Sequence, residues 1–361
     1  MSSLPIRVAW GIQHPMSGHL TLYLDVDGDL VLNTEADIGY THRGLEKIAE
    51  YRHFMQYVPI IERACDFDSS NFALGYARAV EALMGVEVPE RAKYLRTIAA
   101  ELSRIMSHLY AQALLSMTVG FETMCVWSAN DRELILDLLE MLTGARVTHT
   151  YIVPGGVRAD LPKGFRERAA QVLDYLERRI SDYYEMLFKN RTFQDRTVGV
   201  GVLPKEEAIE LGVTGPNLRA SGVDFDTRRD DPYAAYDKID FDVIVLKEGD
   251  AYARALVRFY EIAESIKIIR QALRDVPNGP VRCKIPPNLP KGEVYTRVES
   301  GRGELGVYLV GAGGNRPYRL KISAPSFRNL AALVHLCRNV PMGDVPVIYY
   351  SLDILLLDVD R

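Results

Sequence analysis

The stretch PERAKYLRTIAAELSRIMSHLYAQALLSMT, residues 89–118, decides the fold. Leu95, Ile98, Leu102, Ile105, Leu109 and Ala113 recur at intervals of three and four, which on an α-helix puts them on one stripe. Small and apolar residues also fill the other faces toward the end of the stretch, so the spacing predicts a long helix that is central and largely buried. On its N-terminal side the same periodicity begins at about residue 44. There Ala73, Ala77, Val80, Leu83 and Met84 line one side of a helix of several turns that ends before Pro89. On its C-terminal side helices are expected at 131–143, 163–189, 204–211 and 249–275. The last of these carries Leu256, Tyr260, Ala263, Ile266, Ile269 and Leu273 at helical spacing. Six helices make a bundle-like core.

The two ends of the chain read differently. HLTLYLDVDGDLVLN, residues 19–33, sets β-forming residues on both sides of Asp27-Gly28, the signature of a hairpin. After the breaks NGP and PPNLPKG, the segments GEVYTRVES and GELGVYLVGAGGNRPYRLKIS return to strand patterning. The expected fold class is α+β: a predominantly helical, bundle-like core with small N-terminal and C-terminal β-sheets. The regions are an N-terminal sheet (1–40), a helical core (41–280) and a β-rich C-terminal region (281–361) that returns to the core, integrated as one domain.

Composition narrows the function. A chain of 361 residues, 48% hydrophobic and 25% charged, can bury a sizeable core. Its formal charge of −5 gives no electrostatic footprint for nucleic acid. No secretory signal and no uninterrupted apolar run of about 18 residues is read, so a bilayer span is not expected. Cysteines at 65, 125, 283 and 337 are too scattered for a disulfide framework or a zinc site and suit a reducing compartment. GAGGN at 311–315 joins two strand-like runs and opens no helix, so it reads as a hairpin turn and not a nucleotide loop. His14, His42, His53, His108, His149 and His335 are isolated, and a lone histidine is more often structural than a ligand. One stretch remains unexplained: in ERACDFDSSN, residues 62–71, Cys65 is followed three places on by Asp68, where a metal site wants a second cysteine.

Longer phrases carry more. GIQHP (11–15), IGYTHRGLEK (38–47), IERACDFD (61–68), ELSRIMSHL (101–109), YIVPGGVRADLP (151–162), GVTGPNLRASGVDFDTRR (212–229), PKGEVYTRVESGRGELGVYLV (290–310), RPYRLKISAPSFRNL (316–330) and SLDILLLDVDR (351–361) occur in this order over nearly the whole chain. Together they resemble the hydrogenase-like large-subunit family shared by respiratory complex I and membrane-bound [NiFe] hydrogenases, and most of all its 49-kDa-type branch. In the hydrogenase branch two Cys-x-x-Cys pairs hold nickel and iron. Here Cys65 and Asp68 stand at the first pair and Leu355 and Asp358 at the second, so the resemblance implies a relic of that centre without its metal.

The resemblance implies a peripheral subunit on the cytoplasmic face of a membrane-bound, ion-translocating oxidoreductase that takes electrons from an NADH-, ferredoxin- or F420-type donor. It would pack against a small Fe–S subunit, other peripheral-arm subunits and the membrane arm. A quinone would be reduced between the two subunits, next to a [4Fe–4S] cluster held by the small one, with no cofactor bound by this chain alone. The family's headgroup tyrosine falls on Asp66, its histidine on Gly18 with His19 one place later, and its partner aspartate on Thr118. Arg43, preceded by His42, matches an arginine beside the terminal cluster; a surface ion pair with Glu46 or Glu50 is the plainer expectation for it. The histidine that tunes the cluster falls on Thr148, with His149 beside it.

Asp66, Asp68 and Asp358 would line the emptied cleft with Cys65. Like charges buried together should raise at least one pKa and make a proton relay, whereas exposed they would be ordinary solvated charges. Two other readings stay open: reduction of another acceptor, such as a sulfur compound, and a non-catalytic scaffold that transmits conformational change to the membrane arm.

Overall fold

The computed structural model describes residues 5–12 and 19–361. An antiparallel sheet opens the fold: β1 (Ile6–Trp10), β2 (Thr21–Asp27) and β3 (Leu30–Asp37), closed at its far edge by β9 (Val340–Pro341). Asp27 pairs with Leu30 across the turn, and Gly28 supplies its positive φ of 62°, as the Asp-Gly pair predicts. GIQHP reaches into, and Gly18 lies among, the residues outside those described.

The helical region expected from 44 to 84 is broken. It contains α1 (Leu45–Ala49), α2 (Val58–Ile61) and two 3-10 turns, Glu62–Ala64 and Asp66–Asp68, before α3 (Ser69–Met84) runs continuously. Cys65 is extended (φ −145°) between those turns, which ends any helix there. The central helix is α4 (Glu90–Thr118), roughly 43 Å long at 1.5 Å per residue and buried on nearly every face. Next comes α5 (Glu122–Thr143), which starts nine residues before the expected 131. The polar run at Asn130-Asp131-Arg132 looks like a boundary. Yet Asp131 is buried and accepts hydrogen bonds from Tyr175 (2.9 Å), Tyr183 (2.9 Å) and Arg179 (3.1 Å) of the neighbouring helix.

That neighbour is α6 (Phe165–Tyr183), which follows the small pair β4 (Ile152–Val153) and β5 (Gly156–Val157) and ends in a π-turn, Tyr184–Phe188. After α7 (Arg191–Thr197), α8 (Lys205–Glu210), α9 (Pro216–Ala220) and α10 (Thr227–Asp230) comes α11 (Ala251–Asp275). Asp250 caps α11 by accepting from the Ala253 N–H at 2.7 Å. A second antiparallel sheet, β6 (Lys291–Ser300), β7 (Gly303–Ala312) and β8 (Pro317–Ser323), lies on α3, and GAGGN forms its second turn. Three helices that the periodicity missed complete the chain: α12 (Pro325–Leu336), α13 (Val345–Leu352) and α14 (Leu356–Asp360). In α12 and α13 apolar residues crowd most faces, so no stripe separates a helix from a buried strand, and α14 is too short to show a period.

One large core spans α3–α6, α11 and the second sheet, and a smaller one joins the first sheet to α8, α12 and α13. Between them the interior is unusually polar. Glu101 of α4 pairs with Arg104 and Arg228 and accepts from Ser265 (2.6 Å) and Tyr236 (2.5 Å). Arg219 pairs with Glu261 and Glu299, both at 2.8 Å, and Glu261 also meets His108 at 2.9 Å. Removing one member of such a pair typically costs about 3–5 kcal/mol, so these ions fix how α4, α9 and α11 meet. Among the described residues no helix is long and apolar enough to cross a membrane.

Candidate functional site

Three irregular segments meet at the end of α4. The first is the β6–β7 turn, residues 300–303. Gly301 N–H donates to Asp68 Oδ2 at 2.7 Å, and the Arg104 guanidinium donates to the carbonyls of Ser300 (2.9 Å) and Glu299 (2.6 Å). Gly303 (φ 134°) crosses Gly215 (φ 71°) so closely that a Cβ on Gly215 would fall 2.3 Å from Gly303 Cα. Pinned in this way, the turn drives Arg302 into the interior, where it is 1% exposed. Its guanidinium donates to Ser107 Oγ at 3.0 Å and Asp353 Oδ1 at 3.1 Å, with Cys65 Sγ at 3.7 Å. The second segment is the C-terminal end of α13, where Asp353 takes the left-handed conformation (φ 53°) that ends the helix. The third is the Cys65–Asp68 segment itself.

They enclose a cleft of about 420 Å³. Phe67, Tyr110, Leu114, Met117, Tyr350 and residues 354–357 form apolar walls, while His19, Asp66, Arg302 and Asp353 supply polar groups. Phe67 and Tyr110 stack at 3.9 Å and 12°, and the Arg132 guanidinium sits 5.6 and 5.7 Å from their ring centres.

The sequence candidates separate on this map. His19, exposed with φ 73°, and half-buried Asp66 line the cleft. Asp68 does not: both its oxygens are engaged, Oδ1 by Asn71 Nδ2 at 2.6 Å and Oδ2 by Gly301. Cys65 and Asp358 lie fully buried behind the cleft, within the field of Arg302. Arg43 and His42 are on the outside. Arg43 donates to the carbonyls of Thr41 (3.2 Å), Arg63 (2.7 Å) and Leu357 (3.1 Å) and pairs with neither Glu46 nor Glu50, which bond Lys321 and Arg319. His42 Nδ1 donates to the Asp360 carbonyl at 2.7 Å. His149 is buried apart from the cleft, with Nδ1 3.1 and 3.0 Å from the hydroxyls of Ser69 and Ser70, and burial pushes its pKa down to about 4, so it is neutral. Nearby, burial pushes Glu62 up to about 7 despite its bonds from Thr150.

Burial, and not the mutual repulsion expected from the sequence, raises the acids. It lifts Asp66 against Arg43 and Arg63, Asp68 to about 6 against Asn71 and Arg104, and Asp358 to about 7 against Arg302. Asp353 makes only a smaller like-charge contribution to Asp358, which Ser326 opposes from the start of α12. Burial also pushes the Cys65 thiol well up. A four-thiolate nickel–iron centre does not fit these side chains: one neutral thiol, a leucine, an engaged Asp68 and Asp358 are what stand there, and among the described residues no three His, Cys, Asp or Glu gather to hold a metal ion. The sequence reading did not single out Tyr110, Arg302, Tyr350 or Asp353. Arg302 and Asp353 sit inside two of the phrases that carried the resemblance, ESGRGELG and SLDILLLDVDR, which was the available signal.

Fold and cleft together define a core subunit of a complex I-type oxidoreductase. More particularly, the chain belongs to the family described as "Respiratory-chain NADH dehydrogenase, 49 Kd subunit", whose model matches residues 118–288 and 284–361. It is 41% identical to an NADH-quinone oxidoreductase subunit of Sinorhizobium medicae, over 97% of this chain and 94% of that protein. It is 43% identical to an F(420)H(2) dehydrogenase subunit of Methanosarcina mazei, over 100% of this chain and 99% of that one. Among solved structures it superposes, with a TM-score of 0.96 and 39% identity over 99% of both chains, on a chain of the membrane-bound sulfane sulfur reductase, an archaeal respiratory membrane complex.

Proposed function

We propose that this chain forms the acceptor-reducing cleft of a membrane-bound, ion-translocating complex I-type enzyme, and that the acceptor is a quinone. The observation that carries the reading is the cleft itself: flat aromatic walls at Phe67, Tyr110 and Tyr350 beside a half-buried acid, Asp66. A quinone headgroup is planar and apolar on its faces, and its reduction takes two electrons and two protons at its edge oxygens. The walls suit the faces. Asp66, whose pKa burial raises, suits proton delivery where the family pattern has a phenol, and the phenols of Tyr110 and Tyr350 offer further hydrogen bonds. His19 stands at the same cleft.

Electrons would come from a [4Fe–4S] cluster of a small partner that docks beside Arg43 and His42, on the cytoplasmic side of the membrane arm; this chain holds no cluster in the proposal. The absent phenol also favours a second reading, in which a sulfur chain is reduced in the same cleft, as the name of the structural relative says of that complex. The purified complex, reduced through its own donor and offered a short-chain quinone or polysulfide, decides between them. Quinone turnover that a quinone-site inhibitor blocks is expected. Polysulfide turnover with no quinone reduction would discard the quinone, and reduction of neither would leave the scaffold reading.

A further inference from the structure

We infer that Arg302, held by Asp353, is a catalytic residue: its guanidinium holds the negative charge that develops on the acceptor atom receiving the electrons. This rests on reading the cleft as the acceptor site. Arg302 and Asp353 both line the cleft, and both carry unfinished bonding. Arg302 uses Nη1 on Ser107 and Nη2 on Asp353, yet its buried Nε–H has no acceptor in the protein. Asp353 Oδ2 has no hydrogen-bond donor, and Arg258 Nε, 3.9 Å away, is itself unpartnered. Arg104 and Arg228, just as deeply buried, direct their N–H groups at carbonyls and carboxylates. Arg219 Nη2 and Arg258 Nε are also without a hydrogen-bond partner, but neither residue lines the cleft, whereas Arg302 does, so its spare donor is the one at the acceptor site.

The chemistry needs such a group with either acceptor. A quinone takes two electrons from the partner's iron–sulfur cluster and two protons from nearby acids; charge appears on a carbonyl oxygen before each proton arrives, and a neutral quinol leaves. In a sulfur chain the two electrons enter an S–S bond, which breaks, and the two sulfurs leave as anions or take one proton each. Arg302 stays charged throughout, so it stabilises charge and never supplies the proton. The donor set is preorganised, because Ser107 and Asp353 fix the guanidinium plane before the acceptor arrives.

The test uses the assembled complex carrying Arg302→Gln, Arg302→Lys, or Arg302→Gln with Asp353→Asn. The double variant keeps the fold testable by leaving no unpaired carboxylate. Turnover is measured with a short-chain quinone and with polysulfide, alongside the rate at which the donor reduces the iron–sulfur chain. Losing one preorganised donor of this kind typically lowers kcat by about a hundredfold to a thousandfold. That loss is expected in Arg302→Gln and in the double variant, chiefly in kcat and not in KM, with cluster reduction unchanged. Arg302→Lys should recover part of it, with the shape of the pH profile retained. If both glutamine variants turn over within about threefold of wild type, the inference is wrong, while quinone reduction by wild type still supports the cleft. Loss with polysulfide alone would keep Arg302 in its role and remove the quinone. A wild-type complex that reduces neither acceptor would sink both.

Discussion

Asp68 is the acid for which sequence and structure lead to opposite experiments. As a proton relay it should tolerate no amide; as a clamp it should tolerate one. Its carboxylate accepts at 2.6 Å from Asn71 and at 2.7 Å from Gly301, and the second bond holds the turn that presents Arg302. Hydrogen bonds to a charged acceptor contribute about 1.5–3 kcal/mol each, so losing both in Asp68→Ala should destabilise the turn by roughly 3–6 kcal/mol. Asp68→Asn can keep the Gly301 bond through its oxygen. Its new N–H₂ meets Asn71 Oδ1, which is unpartnered now, once the Asn71 amide flips and gives up its 3.3 Å bond to Ala100.

The pH sign separates the variants further. The folded pKa of about 6 lies above the ordinary 3.8, so the folded acid still holds a proton that the unfolded chain has released. Wild type therefore loses stability as pH rises from about 4 to 6, by about 3 kcal/mol for the two-unit gap. Asp68→Asn should lack that loss and compare best with wild type above pH 7. Hydrogen exchange at the Gly301 amide, read in the complex at pH 5 and pH 8, measures both effects. Unchanged Gly301 protection in Asp68→Ala would refute the clamp. So would Asp68→Asn if it kept full protection but lost turnover to the extent of a proton donor.

The other predictions concern neighbouring residues. Asp66→Asn should cut acceptor turnover by about a hundredfold or more while the donor still reduces the iron–sulfur chain, which stopped-flow spectra would resolve; wild-type turnover across pH would remove Asp66 from the proton path. Asp358, pushed up to about 7 by burial despite Arg302 and Ser326, is costly once ionised, so Asp358→Asn should stabilise the complex at pH 8 by up to about 4 kcal/mol and hardly at pH 4, as thermal unfolding at the two values would report. An equal effect at both would show that the carboxylate is not destabilised by burial. Gly215→Ala should prevent stable assembly, since its Cβ would overlap the Gly303 backbone, and native electrophoresis would reveal it; a normally assembled variant would mean that the two loops can separate.

Much of the framework was legible. The stripe from Leu95 to Ala113 located α4 to within a residue, and Asp27-Gly28 located the first hairpin, because each depends only on local spacing or turn chemistry. The start of α5 was hidden because Asp131 looks solvated until two tyrosines and an arginine from α6 reach it. The C-terminal helices were hidden because apolar residues crowd most faces of α12 and α13 and because α14 is too short to show a period. At the site, ordered phrases pointed to the region of Cys65, Asp66 and Asp358. Distinguishing Asp66, which faces the cleft, from Asp68, which holds a turn 233 residues away, requires the Gly301 contact, and no spacing encodes it. Arg302 was missed for a related reason: one arginine among many becomes distinctive only when the fold sets it on the cleft wall.

The central claim is that the acceptor binds between the aromatic wall and Arg302, and photolabelling tests it most directly. A short-chain quinone bearing a photoreactive group, activated on the reduced complex, should label this chain within residues 66–67, 110–117 or 349–357, and excess unlabelled quinone should abolish the label. Label confined to other subunits, or to surfaces of this chain remote from Tyr110 and Tyr350, would contradict the account.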